Sequence, residues 1–277
     1  MLTHQTGVPT ISSLNSARRG KFELTGILQD CTFGNRVQKM KLKKISGLFV
    51  MAASTAGGYA AMVRPRLISW GATAEEAGIA LAGDEVVNEP RYITNRAVTI
   101  HAAAPLVWPW LVQMGQGRGG LYSYDWLENL LGFDIHSADR IIPEFQHLEP
   151  GDTIRLVREG YFADLRYEVI AVEQERALVL RTPGSPEDNF AKGLPYGSWT
   201  FALRKIDERT TRLIARTRSD FRPSVAGYIW NKYGLEPAHS IMERRMLLGI
   251  KARAEASVGT GGGCAVTAAG FEPVEAA

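Results

Sequence analysis

The stretch ITNRAVTIHAAAPLVWPWLVQMG at 93–115, continued by GGLYSYDWLENLLG at 119–132, carries the fold. Alternation into Val98 and Ile100 predicts a strand over Ile93–His101. Pro105 then opens a helix, since proline is tolerated in a first turn. Leu106, Val107, Trp110, Leu111 and Met114 give that helix an apolar face, and Pro109 predicts a kink. Past the glycines, Tyr124–Leu131 reads as a second short helix with Trp126, Leu127, Leu130 and Leu131 turned inward and Gly132 closing it. Aromatics make up 9% of the chain, yet Trp108, Trp110, Tyr122, Tyr124, Trp126 and Phe133 crowd into this one region. An apolar surface of that kind beside sharply bending glycines describes a pocket rim.

Downstream the period switches to two. Thr153, Arg155 and Val157 share one face, Leu165, Tyr167, Val169 and Ala171 another; Ala177–Leu180, then Trp199, Phe201 and Leu203, then Leu213, Ala215 and Thr217 follow. Turn residues at Gly151-Asp152, Glu173–Glu175, Pro183–Pro186 and Asp207–Thr210 join these runs into an antiparallel meander. Pro237 starts a long final helix. Its expected stripe is Ala238, Ile241, Met242, Met246, Leu247, Ile250 and Ala254, opposed by Glu243, Arg244, Arg245, Lys251 and Arg253.

Gly115, Gly117 and Gly120 spell GxGxxG, but a nucleotide fingerprint needs a strand before the glycines and a helix opening on them. Here a proline-kinked helix precedes them, and no Lys-Ser or Lys-Thr follows. The reading is a loop framing a cavity mouth, with Arg118 placed to meet a carboxylate or phosphate.

The 277 residues are 45% hydrophobic and 22% charged, ordinary for a globular protein, with a formal net charge of +3. Much of that excess lies in the first 66 residues, so no nucleic-acid stripe marks the folded body. Cys31 and Cys264 show no ligand or redox spacing. Residues 1–39 read as a disordered arm, 40–66 as a signal anchor or transmembrane segment, 67–90 as a linker, 91–256 as the folded domain and 257–277 as a disordered tail. The uncharged run from Ile45 to Val63 follows MKLKK and stops at Arg64, long enough to cross a bilayer. Its charged flanks place the N-terminus in the cytoplasm and the domain outside. A cleaved signal peptide or a soluble helix, with a cytoplasmic domain, are the alternatives, and Met40 is an alternative start.

Strand, two short helices, meander and long terminal helix give an α+β order in which a curved antiparallel sheet wraps the last helix. Here the chain resembles the SRPBCC superfamily, the START-like helix-grip fold, and within it the polyketide cyclase/dehydrase-like branch. The likeness is carried by 93–115 and 119–132 above, GDTIRL at 151–156, GSWTFAL at 197–203, TTRLIARTR at 210–218 and MERRMLLGIKARAE at 242–255. The resemblance implies a deep apolar cavity between sheet and terminal helix, suited to a lipid, polyketide or similar molecule. Trp108, Tyr122, Tyr124, Trp126, Arg118, Arg155, Tyr167, Trp199, Met242 and Met246 are the expected lining, although such residues also serve plain packing.

Asp125 and His136 are the acid-base candidates. Asp134, Asp139, Glu144 and His147 read as solvated loop charges or caps, and His101 and His239 as structural. No metal-ligand pattern, nucleophile elbow or cofactor motif is present in the sequence. Three functions stay open: a membrane-tethered domain that binds or carries a hydrophobic small molecule, a cyclase or dehydratase-type enzyme, and a non-catalytic partner-binding protein.

Overall fold

The computed structural model describes residues 51, 54–161 and 164–260. It divides into two units, the first ending at Gly57 and the second beginning at Gly58, and the second holds the fold. Six antiparallel strands form one sheet in the order β1-β6-β5-β4-β3-β2. They are β1 (Tyr92–Ile100), β2 (Thr153–Arg155), β3 (Arg166–Glu173), β4 (Ala177–Arg181), β5 (Tyr196–Asp207) and β6 (Thr210–Asp220). The first and last strands pair, Val98 opposite Leu213 and Arg96 opposite Ala215, so the meander closes back on β1.

Alternation decides what each face meets. On the inner face Val98 and Ile100 of β1, Trp199, Phe201 and Leu203 of β5, and Leu213 and Ala215 of β6 are buried against Met246, Leu247, Ile250 and Ala254. Those four come from the C-terminal helix Glu236–Thr260. The helix Ala104–Val112, with Pro109 inside it, adds Val107, Trp108, Trp110, Leu111 and Val112 to the same core. Each large apolar side chain so enclosed contributes about 1.5–3 kcal/mol. At Gly249 the C-terminal helix comes so close to the loop after Ala104–Val112 that an added Cβ would lie 2.3 Å from the Tyr122 carbonyl oxygen.

The expected linker, residues 67–90, is laid across the outer face of the sheet. Ala72, Ile79 and Leu81 cover Ala97, Ala202 and Ile214. A capping box between Thr73 and Glu76 starts its helix Ala74–Gly78. Arg216, on the outer face of β6, holds this strap by donating to the carbonyls of Glu76 and Ile79 at 2.9 and 2.7 Å and to the Asp84 carboxylate at 2.7 Å. Glu76 receives Arg212 in the same way.

Two helix orientations differ from expectation. The helix Asp125–Leu130 turns Trp126 and Leu130 to solvent, 69% and 75% exposed, and buries Glu128 instead. Its rotation is set by polar anchors: Asp125 accepts from Ser137, and Asn129 exchanges hydrogen bonds with the Ile135 backbone. On the C-terminal helix Ile241 faces outward, while Ser240 and Glu243 are buried. The terminal helix is also preceded by the helix Val225–Trp230 and a π-helical turn, Asn231–Leu235, which carry exposed Val225, Ile229 and Trp230.

Much of the apolar run at 45–63 lies outside the described residues. Of what is described, residues 54–57 are helical and Tyr59–Val63 form a π-helical turn. Among the described residues no helix is long and apolar enough to cross a membrane, so the structure lends the expected transmembrane helix no support. The arm at 1–39 and the tail from 261 onward also lie outside them.

Candidate functional site

Charged groups inside an apolar body must find partners, and here they do so between β1, β5 and the C-terminal helix. Arg96 points inward from β1 in line with Thr94 and Val98 and forms an ion pair with Glu243, both side chains being 0% exposed. Trp199 Nε1 donates to the second Glu243 oxygen at 2.6 Å. Arg96 also donates to Ser240 Oγ at 2.5 Å and to the Leu67 carbonyl at 3.0 Å. Burial opposes the charge on Arg96, but Glu243 and Tyr92 together more than offset it and the guanidinium pKa is raised.

One turn earlier on the helix stands His239. Its Nδ1 lies 3.1 Å from the Tyr92 hydroxyl, and its Nε2 is 3.8 Å from Glu243. The nearby carboxylate favours the tautomer protonated on Nε2, leaving Nδ1 to accept from Tyr92. Burial lowers the His239 pKa, outweighing the opposite pull of Glu243, so the ring is neutral at pH 7. Burial raises Tyr92 well above the usual phenol range and, with Glu243 adding to it, pushes Tyr167 up to about 12.

These groups face a cavity of about 150 Å³ lined by Tyr92, Tyr167, Thr217, Leu235, Glu236 and His239, among others. Tyr167, Thr182 and Pro195 also wall a wider depression of about 440 Å³, which reaches Leu156, Leu165 and Leu194. Thr217 Oγ1 is buried and has no hydrogen-bond partner among the described residues. A buried hydroxyl left unpaired costs about 1–3 kcal/mol.

The expected lining residues separate into several groups. Tyr167 lies in the cavity wall with its ring 5.5 Å from Trp199. Trp199, Trp108 and Met246 are enclosed in the core, and the cavity of about 150 Å³ meets the C-terminal helix at its N-terminal end, at Glu236 and His239. Met242 is half-buried, and its carbonyl accepts from Ser123. Tyr122 is a strut: it is buried edge-on to Trp110, accepts from Gln113 at 3.0 Å, and burial raises its pKa to about 12. Tyr124 and Trp126 line a different depression, on the outer side of the C-terminal helix.

Arg118 donates from Nη2 to the carbonyls of Val112 and Phe145 at 2.9 and 3.1 Å, while its Nε is buried with no hydrogen-bond partner among the described residues. The glycine loop spends its amides internally: Gly115 and Gly120 bond each other, and a Cβ on Gly120, at φ 77°, would meet Ser137 Cα at 2.6 Å. Arg155 pairs outside with Asp164 and Glu159. Of the acid-base candidates, Asp125 is engaged by Ser137 at 2.7 Å, and His136, with its side chain 80% exposed, pairs with Asp134. Neither lines the inner cavity. Among the described residues no three His, Cys, Asp or Glu side chains assemble a metal site.

The sequence reading named neither Tyr92 nor Arg96, took His239 as structural and set Glu243 on the helix face opposed to the apolar stripe. Period-two alternation places Arg96 with Val98 and Ile100, and Glu243 stands three and four residues before Met246 and Leu247. Their charge argued for solvent, and each cancels the other.

Strand order and the helix packed on the inner face of the sheet identify the architecture. The architecture is a helix-grip α+β fold. No protein-family model matches the chain, and no curated protein matches it. Solved structures do. Truncated norcoclaurine synthase from Thalictrum flavum aligns at 16% identity with a TM-score of 0.34, covering 57% of this chain and 92% of that one. A conserved protein from Geobacillus kaustophilus gives 13% and 0.36, covering 60% and 97%. The Zhui aromatase/cyclase from Streptomyces sp. R1128 gives 17% and 0.31, covering 60% and 95%. At these identities and scores the likeness says nothing of ligand or reaction.

Proposed function

We propose that this helix-grip domain binds a hydrophobic small molecule carrying a polar group, held at the end of the C-terminal helix nearest Tyr92 and His239. The observation that carries the reading is Thr217 Oγ1, a buried hydroxyl without a partner among the described residues, facing a cavity that also presents Tyr92, Tyr167 and His239. A cavity of about 150 Å³ suits one aromatic ring, as dry cavities of similar size do. The wider depression beyond Tyr167 supplies room for an apolar extension. Calorimetry with naphthol tests this: the wild type binds, and Thr217→Leu, which fills the cavity and removes the hydroxyl, weakens binding at least tenfold. No binding by the wild type, or equal binding by the variant, defeats the reading.

A second reading has its own observation. A neutral His239 whose Nδ1 accepts from Tyr92, with Tyr167 in the same cavity, is equipped to take and return a proton through the Tyr92 hydroxyl, as a cyclase or dehydratase-type reaction requires. Loss of turnover in His239→Gln with naphthol binding retained would favour it.

Tethering through 45–63, with the domain outside the membrane, belongs to the same proposal. Supporting it, Tyr59 of that run packs its ring 5.4 Å from Tyr233, Arg64 just after it pairs with Glu236, and Ile229 and Trp230 of the helix that precedes the C-terminal one are exposed. Aromatics of this kind suit a membrane-water interface. Release of the full chain from membranes by alkaline carbonate would count against the tether.

A further inference from the structure

Outside the grip, on the far side of the C-terminal helix, a cleft of about 930 Å³ lies between that helix, the segment Arg66–Trp70 and the turn Tyr122–Trp126. Its charges are unbalanced. Asp139 is taken by Arg253 at 2.7 Å, and Asp125 by Ser137. Arg66, Arg244 and Arg245 also line the cleft, and among the described residues none of them has an ion pair with a carboxylate.

Two of these cations are held in place by aromatic rings. The Arg244 guanidinium lies 5.0 Å from the centre of the Trp70 ring, and that of Arg245 lies 6.0 Å from Tyr124. Contact over a ring occupies the face of a guanidinium and leaves its in-plane N–H donors available, the geometry that grips a phosphate with two parallel bonds. Solvated arginines on an outer helix face are ordinary. These differ in standing over rings, around a concavity, beside exposed apolar groups. Trp126 and Ile241, 69% and 51% exposed, line the same cleft. Leu130 and Leu131 continue the apolar surface from Trp126.

We infer that this cleft is an anion site for a phosphate-bearing amphiphile, with Arg244 and Arg245 gripping the phosphate, Arg66 adding charge, and Trp126 and Ile241 receiving the apolar part. The phosphate arrives either on a dissolved molecule or as a lipid headgroup, and the chemistry of recognition is the same. The site is separate from the Thr217 cavity, so failure of one leaves the other standing.

The test uses the full chain. Binding of dihexanoyl phosphatidic acid below its micelle concentration is measured by calorimetry. Flotation is measured with vesicles of phosphatidylcholine alone and with phosphatidylglycerol added. The expected result is binding in at least one arm, weakened at least tenfold in Arg244→Gln/Arg245→Gln at an unchanged unfolding midpoint. Calorimetric binding without phosphatidylglycerol-dependent flotation assigns a dissolved ligand; flotation that depends on phosphatidylglycerol assigns a membrane lipid. Absence of both in the wild type, or double-variant behaviour equal to the wild type in both arms, overturns the inference. Trp126→Ser sharpens it, because dihexanoyl phosphatidic acid should bind more weakly while inorganic phosphate is unaffected.

Discussion

The two sides of the C-terminal helix carry charge in opposite ways. Toward the sheet, Glu243 is enclosed, paired with Arg96 and bonded to Trp199, so its charge is spent on the fold. Away from the sheet, Arg244 and Arg245 are exposed and lie over aromatic rings without a carboxylate partner among the described residues. Adjacent positions in one helix therefore serve different ends. A buried charge must be answered within the molecule because desolvation is costly, whereas an exposed one can wait for a ligand.

The largest effect should come from breaking the inner side. Glu243→Ala strands the Arg96 guanidinium in the core and should destabilise the domain by about 3–5 kcal/mol, read from denaturant unfolding. A loss near zero would show that the pair is open to water.

An intermediate effect should come from Glu128, the exception to the comparison. It belongs to the helix that carries Trp126, yet its carboxylate is buried with no partner among the described residues. Burial, with Asp125 adding to it, raises its pKa from 4.5 to about 7. Between those values the folded state holds more protons than the unfolded one, so this group's contribution to stability falls as pH rises. Glu128→Gln should therefore stabilise the protein at pH 8 by on the order of 2 kcal/mol, with the gain vanishing toward pH 4.5. A gain independent of pH would deny the shift.

The smallest effect belongs to the outer side. Arg244→Ala should change stability by no more than about 0.5 kcal/mol, since only an exposed cation over Trp70 is lost. A cost comparable to that of Glu243→Ala would mean that the outer arginines are also structural.

The fold was legible where period and punctuation agreed: the strand ending at Ile100, the proline-opened helix and the β5-β6 hairpin all follow from local pattern. The helix Asp125–Leu130 was legible in extent but not in rotation. Apolar residues alone argued that Trp126 and Leu130 face inward, whereas hydrogen bonds from Ser137 and Ile135, up to twelve residues away in sequence, turned them out. The candidate site was legible only in Tyr167. His239 and Tyr92 meet across 147 residues of chain, and no local spacing records that meeting.

By itself the sequence determined the element order, the alternation of the strands and the architecture in which a sheet wraps a helix. These depend on period, turn chemistry and side-chain size, which are properties of neighbours along the chain. Tertiary structure alone decided which charges lie inside. Whether Arg96 or Glu243 can be buried depends on the other being opposite, and whether Arg244 is free depends on no carboxylate being near. Both are facts about distances in space between residues far apart in sequence.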